Sequence, residues 1–199
     1  YQADYVCHAI ENPGWHERDR FVLSKGHAAP ALYAALAMCG YFDQQELCTL
    51  RKMNSCLQGH PSARITKGVD ATSGSLGQGL SVANGIALGL RLDGVDAQVY
   101  VMMGDGEQQE GQIWEAAMTA AHYKLGKMTA IIDNNGLQID GFVKDVKGIE
   151  PLADKWRAFG WDVSVIDGHD FSQIIPALTK VREKSATDRP SAIIAKTVK

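Results

Sequence analysis

The stretch Gln98-Val99-Tyr100-Val101-Met102-Met103-Gly104-Asp105-Gly106, followed twenty-seven residues later by Asn134-Asn135, decides the fold. The apolar run over 98–103 reads as a strand, 111–125 as a helix, and 128–133 as a second strand ending at Asp133-Asn134-Asn135. One strand–helix–strand unit then places a carboxylate and an amide oxygen at the same edge of a parallel sheet. That edge is where ligands bind in open α/β folds. A hard cation such as Mg2+ takes a few protein oxygens together with phosphate oxygens of its ligand. Glycines beside the carboxylate let the backbone approach a phosphate closely. Gly-Asp-Gly and Asn-Asn-Gly are each ordinary turn sequences when met alone. Their paired placement after two strands is what favours a site.

Working outward, 28–39 reads as a helix closed by Gly40. Asp43 reads as the N-cap of a helix through Met53, with Glu46 at the capping-box position. Residues 55–71 read as loop. Residues 76–92 carry Gly and Ala at helical spacing, which suggests a helix packed closely on a neighbour. Beyond the central unit, helices are expected over 151–159 and 171–184, and strands over 161–166 and 192–198. Alternating strands and helices of this length predict a doubly wound parallel sheet with helices on both faces and right-handed crossovers. No repeat or linker interrupts the pattern, so a single domain over 1–199 is expected, trimmed at both ends.

Composition narrows the function classes. With 20 basic against 23 acidic residues the net charge is −3, and no basic run offers a track for a nucleic-acid backbone. No apolar stretch reaches the length of a membrane span. Cys7, Cys39, Cys48 and Cys56 form no Cys-x-x-Cys pair, so zinc is not expected. They read as buried free thiols of a reducing, cytoplasmic compartment.

Five segments, in order, resemble the diphosphate-binding domain of transketolases. These are Arg18-Asp19-Arg20-Phe21-Val22-Leu23-Ser24-Lys25-Gly26-His27-Ala28, Gln58-Gly59-His60-Pro61, Thr72-Ser73-Gly74-Ser75-Leu76-Gly77-Gln78-Gly79, Gly104-Asp105-Gly106-Glu107-Gln108-Gln109-Glu110-Gly111, and Asp133-Asn134-Asn135-Gly136-Leu137-Gln138-Ile139-Asp140-Gly141. Any one is weak; together they span nearly the whole chain and are specific. The resemblance implies thiamine diphosphate and Mg2+ as cofactors, with Ca2+ or Mn2+ as substitutes. It implies Asp105 and Asn135 as side-chain metal ligands and the Leu137 carbonyl as the third protein ligand. Gly106 would offer its N–H to the diphosphate, and Asp133 would help hold the metal loop. Asn134 stands where longer relatives often carry an acid, and Ser75 where many carry proline.

By the same resemblance, His27 lies by the diphosphate and the thiazolium side of the cofactor, and His60 faces the donor's C1 hydroxyl. Imidazole suits both places because it donates, accepts and titrates near neutrality. The Gly74 backbone would contact the aminopyrimidine, and Leu76 would pack near the rings. Glu110 matches a glutamate at the subunit interface, beside the partner's catalytic glutamate. Glu107 and Glu115 read as surface residues. His8, His16 and His122 read as ordinary surface or core residues, and His169 as a cap for the helix that follows.

The resemblance further implies a two-carbon ketol transfer from a ketose phosphate to an aldose phosphate. It implies a partner subunit carrying the pyrimidine-binding domain, since nothing here resembles that domain, in an assembly of two plus two. Two family histidines have no counterpart between Tyr1 and Lys199. A synthase of the 1-deoxyxylulose phosphate type shares several of these motifs. The α subunit of a 2-oxo-acid dehydrogenase shares fewer, lacking Ser24-Lys25-Gly26-His27 and the Gly59-His60-Pro61 turn. A non-catalytic interaction homologue is the reading from another class. A nicotinamide-binding domain is disfavoured by the absence of Gly-x-Gly-x-x-Gly after the first clear strand.

Overall fold

The computed structural model describes residues 12, 14–139 and 141–198; Cys7, His8 and Asp140 lie outside them. Five parallel strands form the central sheet: β1 (Arg20–Leu23), β2 (Val99–Gly104), β3 (Met128–Asn134), β6 (Asp162–Asp167) and β7 (Ser191–Lys196). Their order is β1-β2-β3-β7-β6. A short antiparallel ribbon, β4 (Leu137–Gln138) and β5 (Gly141–Phe142), follows β3 directly. The helices are α1 (Ala29–Met38), α2 (Gly79–Leu92), α3 (Gly111–His122), α4 (Val143–Lys147), α5 (Leu152–Ala158) and α6 (Phe171–Arg182).

Strand alternation divides the sheet into two faces. Val99, Val101 and Met103 of β2, with Met128, Ala130 and Ile132 of β3, turn to one side and meet α2, α3 and α5. Tyr100, Ile131 and Ile193 turn to the other and meet Ala177, Leu178 and Val181 of α6. The doubly wound arrangement expected from the sequence is therefore present. Trp156 and Trp161 pack edge to face at 4.7 Å and seal α5 onto the larger core. No helix among the described residues is long and apolar enough to cross a membrane.

Several local expectations need correction. The segment after Asp43 is a 3-10 helix, Gln44–Thr49, rather than an α-helix reaching Met53. Asp43 does cap it, accepting from the Gln45 N–H at 2.8 Å, but the Glu46 carboxylate meets the Thr49 hydroxyl at 3.5 Å in place of a capping box. The helix expected from 76 begins only at Gly79, because Gly77 at φ +83° turns the chain just before it. The described cysteines are free but not buried: Cys39 and Cys56 are half-buried and Cys48 is exposed. His169 does not cap α6. Asp170 does, through the Ser172 N–H at 2.8 Å, while His169 Nε2 accepts from the Val198 N–H at 3.0 Å.

Candidate functional site

Three adjacent strands end at one edge, and each delivers a loop to the same place. β1 runs out into Ser24-Lys25-Gly26-His27, β2 into Asp105-Gly106, and β3 into Asn135. The register sets Gly104 beside Asp133, and the Asp105 N–H extends the ladder to the Asp133 carbonyl at 3.1 Å. Asp105 and Asn135 therefore emerge level with each other. A cavity of about 270 Å³ opens between these loops. His27, Leu76, Asp105, Gly106, Glu110, Asn135 and Leu137 line it, joined by Lys25, Glu107 and Ile139.

Asp105 is 2% exposed. One carboxylate oxygen accepts the Gly106 N–H at 2.7 Å and the other the Gly136 N–H at 2.6 Å. Each oxygen keeps a further lone pair. Burial pushes the Asp105 carboxyl above its ordinary value, and Asp133 nearby adds to the effect against the two backbone hydrogen bonds. Asn135 Oδ1 accepts the Leu137 N–H at 2.9 Å, which folds the loop back so that Asn135 and Leu137 share the cavity wall. Among the described residues, no three His, Cys, Asp or Glu side chains could hold a metal together. A cation here would thus draw on carboxylate, amide, backbone and ligand oxygens. That donor set suits a hard ion that retains external ligands. The residues fit Mg2+ carried with a diphosphate. Gly106 fits less directly, because its N–H is already given to Asp105.

The two histidines lie side by side but not in one wall. His27 sits in the 3-10 turn Gly26–Ala28 and lines the cavity. Burial and then the Lys25 charge push its imidazole below its ordinary value, with Glu107 opposing. His60 is exposed at the next edge, packed beside Gly26 and Gly74: a β-carbon on Gly26 would stand 3.1 Å from its ring, and one on Gly74 3.4 Å. Neither Gly74 nor His60 lines the cavity itself. Asp133 turns away as well. Lys25 Nζ meets it at 2.5 Å and the Thr197 hydroxyl donates to its other oxygen. Burial alone would raise its carboxyl, but these two partners outweigh it and hold it below the ordinary range. Glu110 is exposed on the rim, and His16, His122 and Glu115 are exposed elsewhere, as expected.

Two residues of the site stand outside the sequence reading. Lys25 is 8% exposed and is the cation of the cavity wall. Its ion-pair partner Asp133 lies 108 positions along the chain, so no local pattern marks it. Glu107 is 3% exposed, not a surface residue. A glutamate in a first helical turn ordinarily faces water, so no local signal marks it. A larger apolar groove, about 570 Å³, lies alongside α6 between Ile131, Leu178 and Ile193. It shares Asn135 with the first cavity, takes in Asp133, and lacks Asp105, Gly106 and Lys25.

Residues 2–199 match the family described as transketolase, thiamine diphosphate binding domain. The chain is 50% identical over 188 residues to the 6-deoxy-6-sulfo-D-fructose transketolase subunit of Clostridium sp. (strain MSTE9), covering 94% of this chain and 68% of that protein. It is 41% identical over 189 residues to one of the subunits of the apulose-4-phosphate transketolase of Phocaeicola vulgatus, covering 95% and 66%. Among solved structures, a Pichia stipitis transketolase in complex with sedoheptulose-7-phosphate superposes with a TM-score of 0.91 at 31% identity, covering 96% of this chain and 30% of that one. Transketolase of Campylobacter jejuni gives 0.88 at 36% identity, covering 97% and 31%. The chain thus spans about two thirds of the length of the subunit relatives and under a third of the longer enzymes.

Proposed function

Because the chain belongs to the transketolase thiamine diphosphate-binding family, we propose that it holds Mg2+–thiamine diphosphate for a two-subunit transketolase. The observation that carries this reading is the convergence of three strand-end loops on one cavity, with Asp105, Asn135 and Lys25 in its walls. Asp105 and Asn135 would hold the metal through side-chain oxygens and Leu137 through its carbonyl. Lys25 would offset diphosphate charge that the metal leaves uncompensated. Thiamine diphosphate supplies the electron sink for breaking and remaking the carbon–carbon bond beside a ketone.

This chain's own residues bind and orient. His27, whose imidazole burial and Lys25 push below its ordinary value, would donate or accept one hydrogen bond at the reacting end. His60, exposed and adjacent, would meet the donor's hydroxyl. A His60→Ala enzyme with unchanged turnover on ketose donors would remove it from the mechanism. Glu110, on the rim, is placed for a partner subunit that brings the pyrimidine-binding domain and encloses the cofactor, excluding water. We assign an assembly of two such chains with two partners, in the cytoplasm. The relatives are named for a sulfonated ketose and a ketose phosphate, so the donor class proposed is a ketose with a terminal anionic group.

The test is calorimetric titration of thiamine diphosphate with Mg2+ into the full-length subunit, with and without the pyrimidine-domain subunit. Tight binding that needs the partner, together with ketol transfer from a sulfonated or phosphorylated ketose, is the expected result. Absence of binding in both cases would overturn the reading in favour of an interaction protein. Binding and turnover of pyruvate with glyceraldehyde phosphate would favour the deoxyxylulose-type synthase.

A further inference from the structure

Glu107 joins three segments that lie far apart in the sequence. One carboxylate oxygen accepts the Ser24 hydroxyl and the Gly77 N–H, the latter at 2.8 Å. The other accepts the Gly104 N–H at 3.1 Å. Ser24 leads into Lys25 and His27, Gly77 follows Leu76, and Gly104 leads into Asp105 and Gly106. Each of the three therefore adjoins residues of the cavity wall. Gly77 is turned at φ +83° and a β-carbon there would strike the Glu110 side chain at 2.8 Å, so its N–H has little freedom to point elsewhere.

The chemistry requires a carboxylate. An ionised carboxylate is acceptor-only, with lone pairs on both oxygens, and serves three donors at once. Glutamine of the same shape would turn an NH2 group towards at least one of those donors. Among the described residues no Lys, Arg or His forms an ion pair with Glu107, so neutral donors hold the charge. A buried charge kept without a cation is costly unless its hydrogen bonds are complete. Here those bonds come from the end of β1, the turn before α2 and the end of β2, each bordering the cavity.

We infer that Glu107 is a positioning residue that straps the three loops into cofactor-receiving geometry before the cofactor arrives. This rests on the reading of the cavity as the Mg2+–thiamine diphosphate site. With the strap in place, ordering the loops is not charged against binding. Without it, each segment keeps its own strand or helix but loses the common anchor.

The test compares Glu107→Gln and Ser24→Ala with the wild-type chain, each assembled with the partner subunit. Three quantities are measured: Mg2+–thiamine diphosphate affinity by calorimetry, kcat at saturating cofactor, and hydrogen exchange at the Gly77 and Gly104 amides in the cofactor-free chain. For Glu107→Gln, Kd is expected to rise about tenfold or more, as loss of charge-assisted hydrogen bonds predicts. kcat at saturating cofactor should fall by a smaller factor, and both amides should lose protection. Ser24→Ala should move the same quantities in the same direction by a few-fold, and carries the test alone if Glu107→Gln does not fold. A lower melting temperature with unchanged Kd and unchanged exchange at both amides would overturn the inference, leaving Glu107 a merely structural residue. If the wild-type chain binds no cofactor, the functional reading fails, while amide exchange in the cofactor-free chain still decides the strap.

Discussion

Asp105 shows how one residue serves fold and chemistry together. Both of its oxygens organise the loop through backbone N–H groups, each keeps a further lone pair, and the residue lines the cavity. Asp105→Asn would replace one oxygen with a donor facing Gly106 or Gly136 and remove the charge. Mg2+-dependent cofactor affinity should then fall by at least about tenfold, measured calorimetrically in the assembled enzyme. Unchanged affinity would remove Asp105 from the metal. At this scale Leu137 and His27 entered through the family resemblance, while the placement of Asp105 and Asn135 at one sheet edge was legible in the sequence, because glycine-flanked polar residues at strand ends carry a local mark. Lys25, Glu107 and the turning away of Asp133 were not. Their roles come from partners 108, 83 and 64 positions distant, and no local pattern encodes those.

Strands and helices position these residues, and their packing makes separate demands. Gly79 opens α2 directly against Ser24: a β-carbon there would lie 2.4 Å from the serine side chain and 2.9 Å from its backbone. Alanine would gain up to about 1 kcal/mol of helix propensity but force a shift costing about 1–3 kcal/mol. Gly79→Ala is therefore expected to be less stable in urea denaturation; a more stable variant would contradict the close packing. Strand β1 escaped the sequence reading because it is four residues long and opens on the charged Arg20, yet its Leu23↔Met102 pairing sets the chain that leads to His27 at the sheet edge. Tyr100 on β2 has its phenol pushed up to about 12 by burial, with Asp19 adding and Arg182 opposing. An unfolded phenol ionises near pH 10. Its contribution to stability is therefore fully present below about 10 and is lost as pH rises towards about 12. Tyr100→Phe should flatten that part of the alkaline stability profile, seen as a smaller fall in melting temperature than in wild type.

Across the whole molecule, one face of the sheet is sealed by α2, α3 and α5 and the other by α6 among the described elements. Trp156 is fully buried and touches both Trp114 and Trp161. Trp156→Ala should cost about 3–5 kcal/mol, read from chemical denaturation. A loss under about 1 kcal/mol would mean that the aromatic cluster is not part of the cooperative core. Such a loss, remote from the cavity, should leave cofactor affinity of the folded fraction unchanged. By itself the sequence determined the α/β class, the parallel doubly wound sheet, and the placement of Asp105 and Asn135 at its strand ends. Those follow from periodicity, strand length and glycine placement, which are local and repeat along the chain. Only the tertiary structure decided that β1 joins the sheet, that Asp133 pairs with Lys25 and Thr197, and that Glu107 is buried as the common acceptor of three loops. A carboxylate reads the same in any first turn; what surrounds it depends on which distant segments the sheet brings to its end.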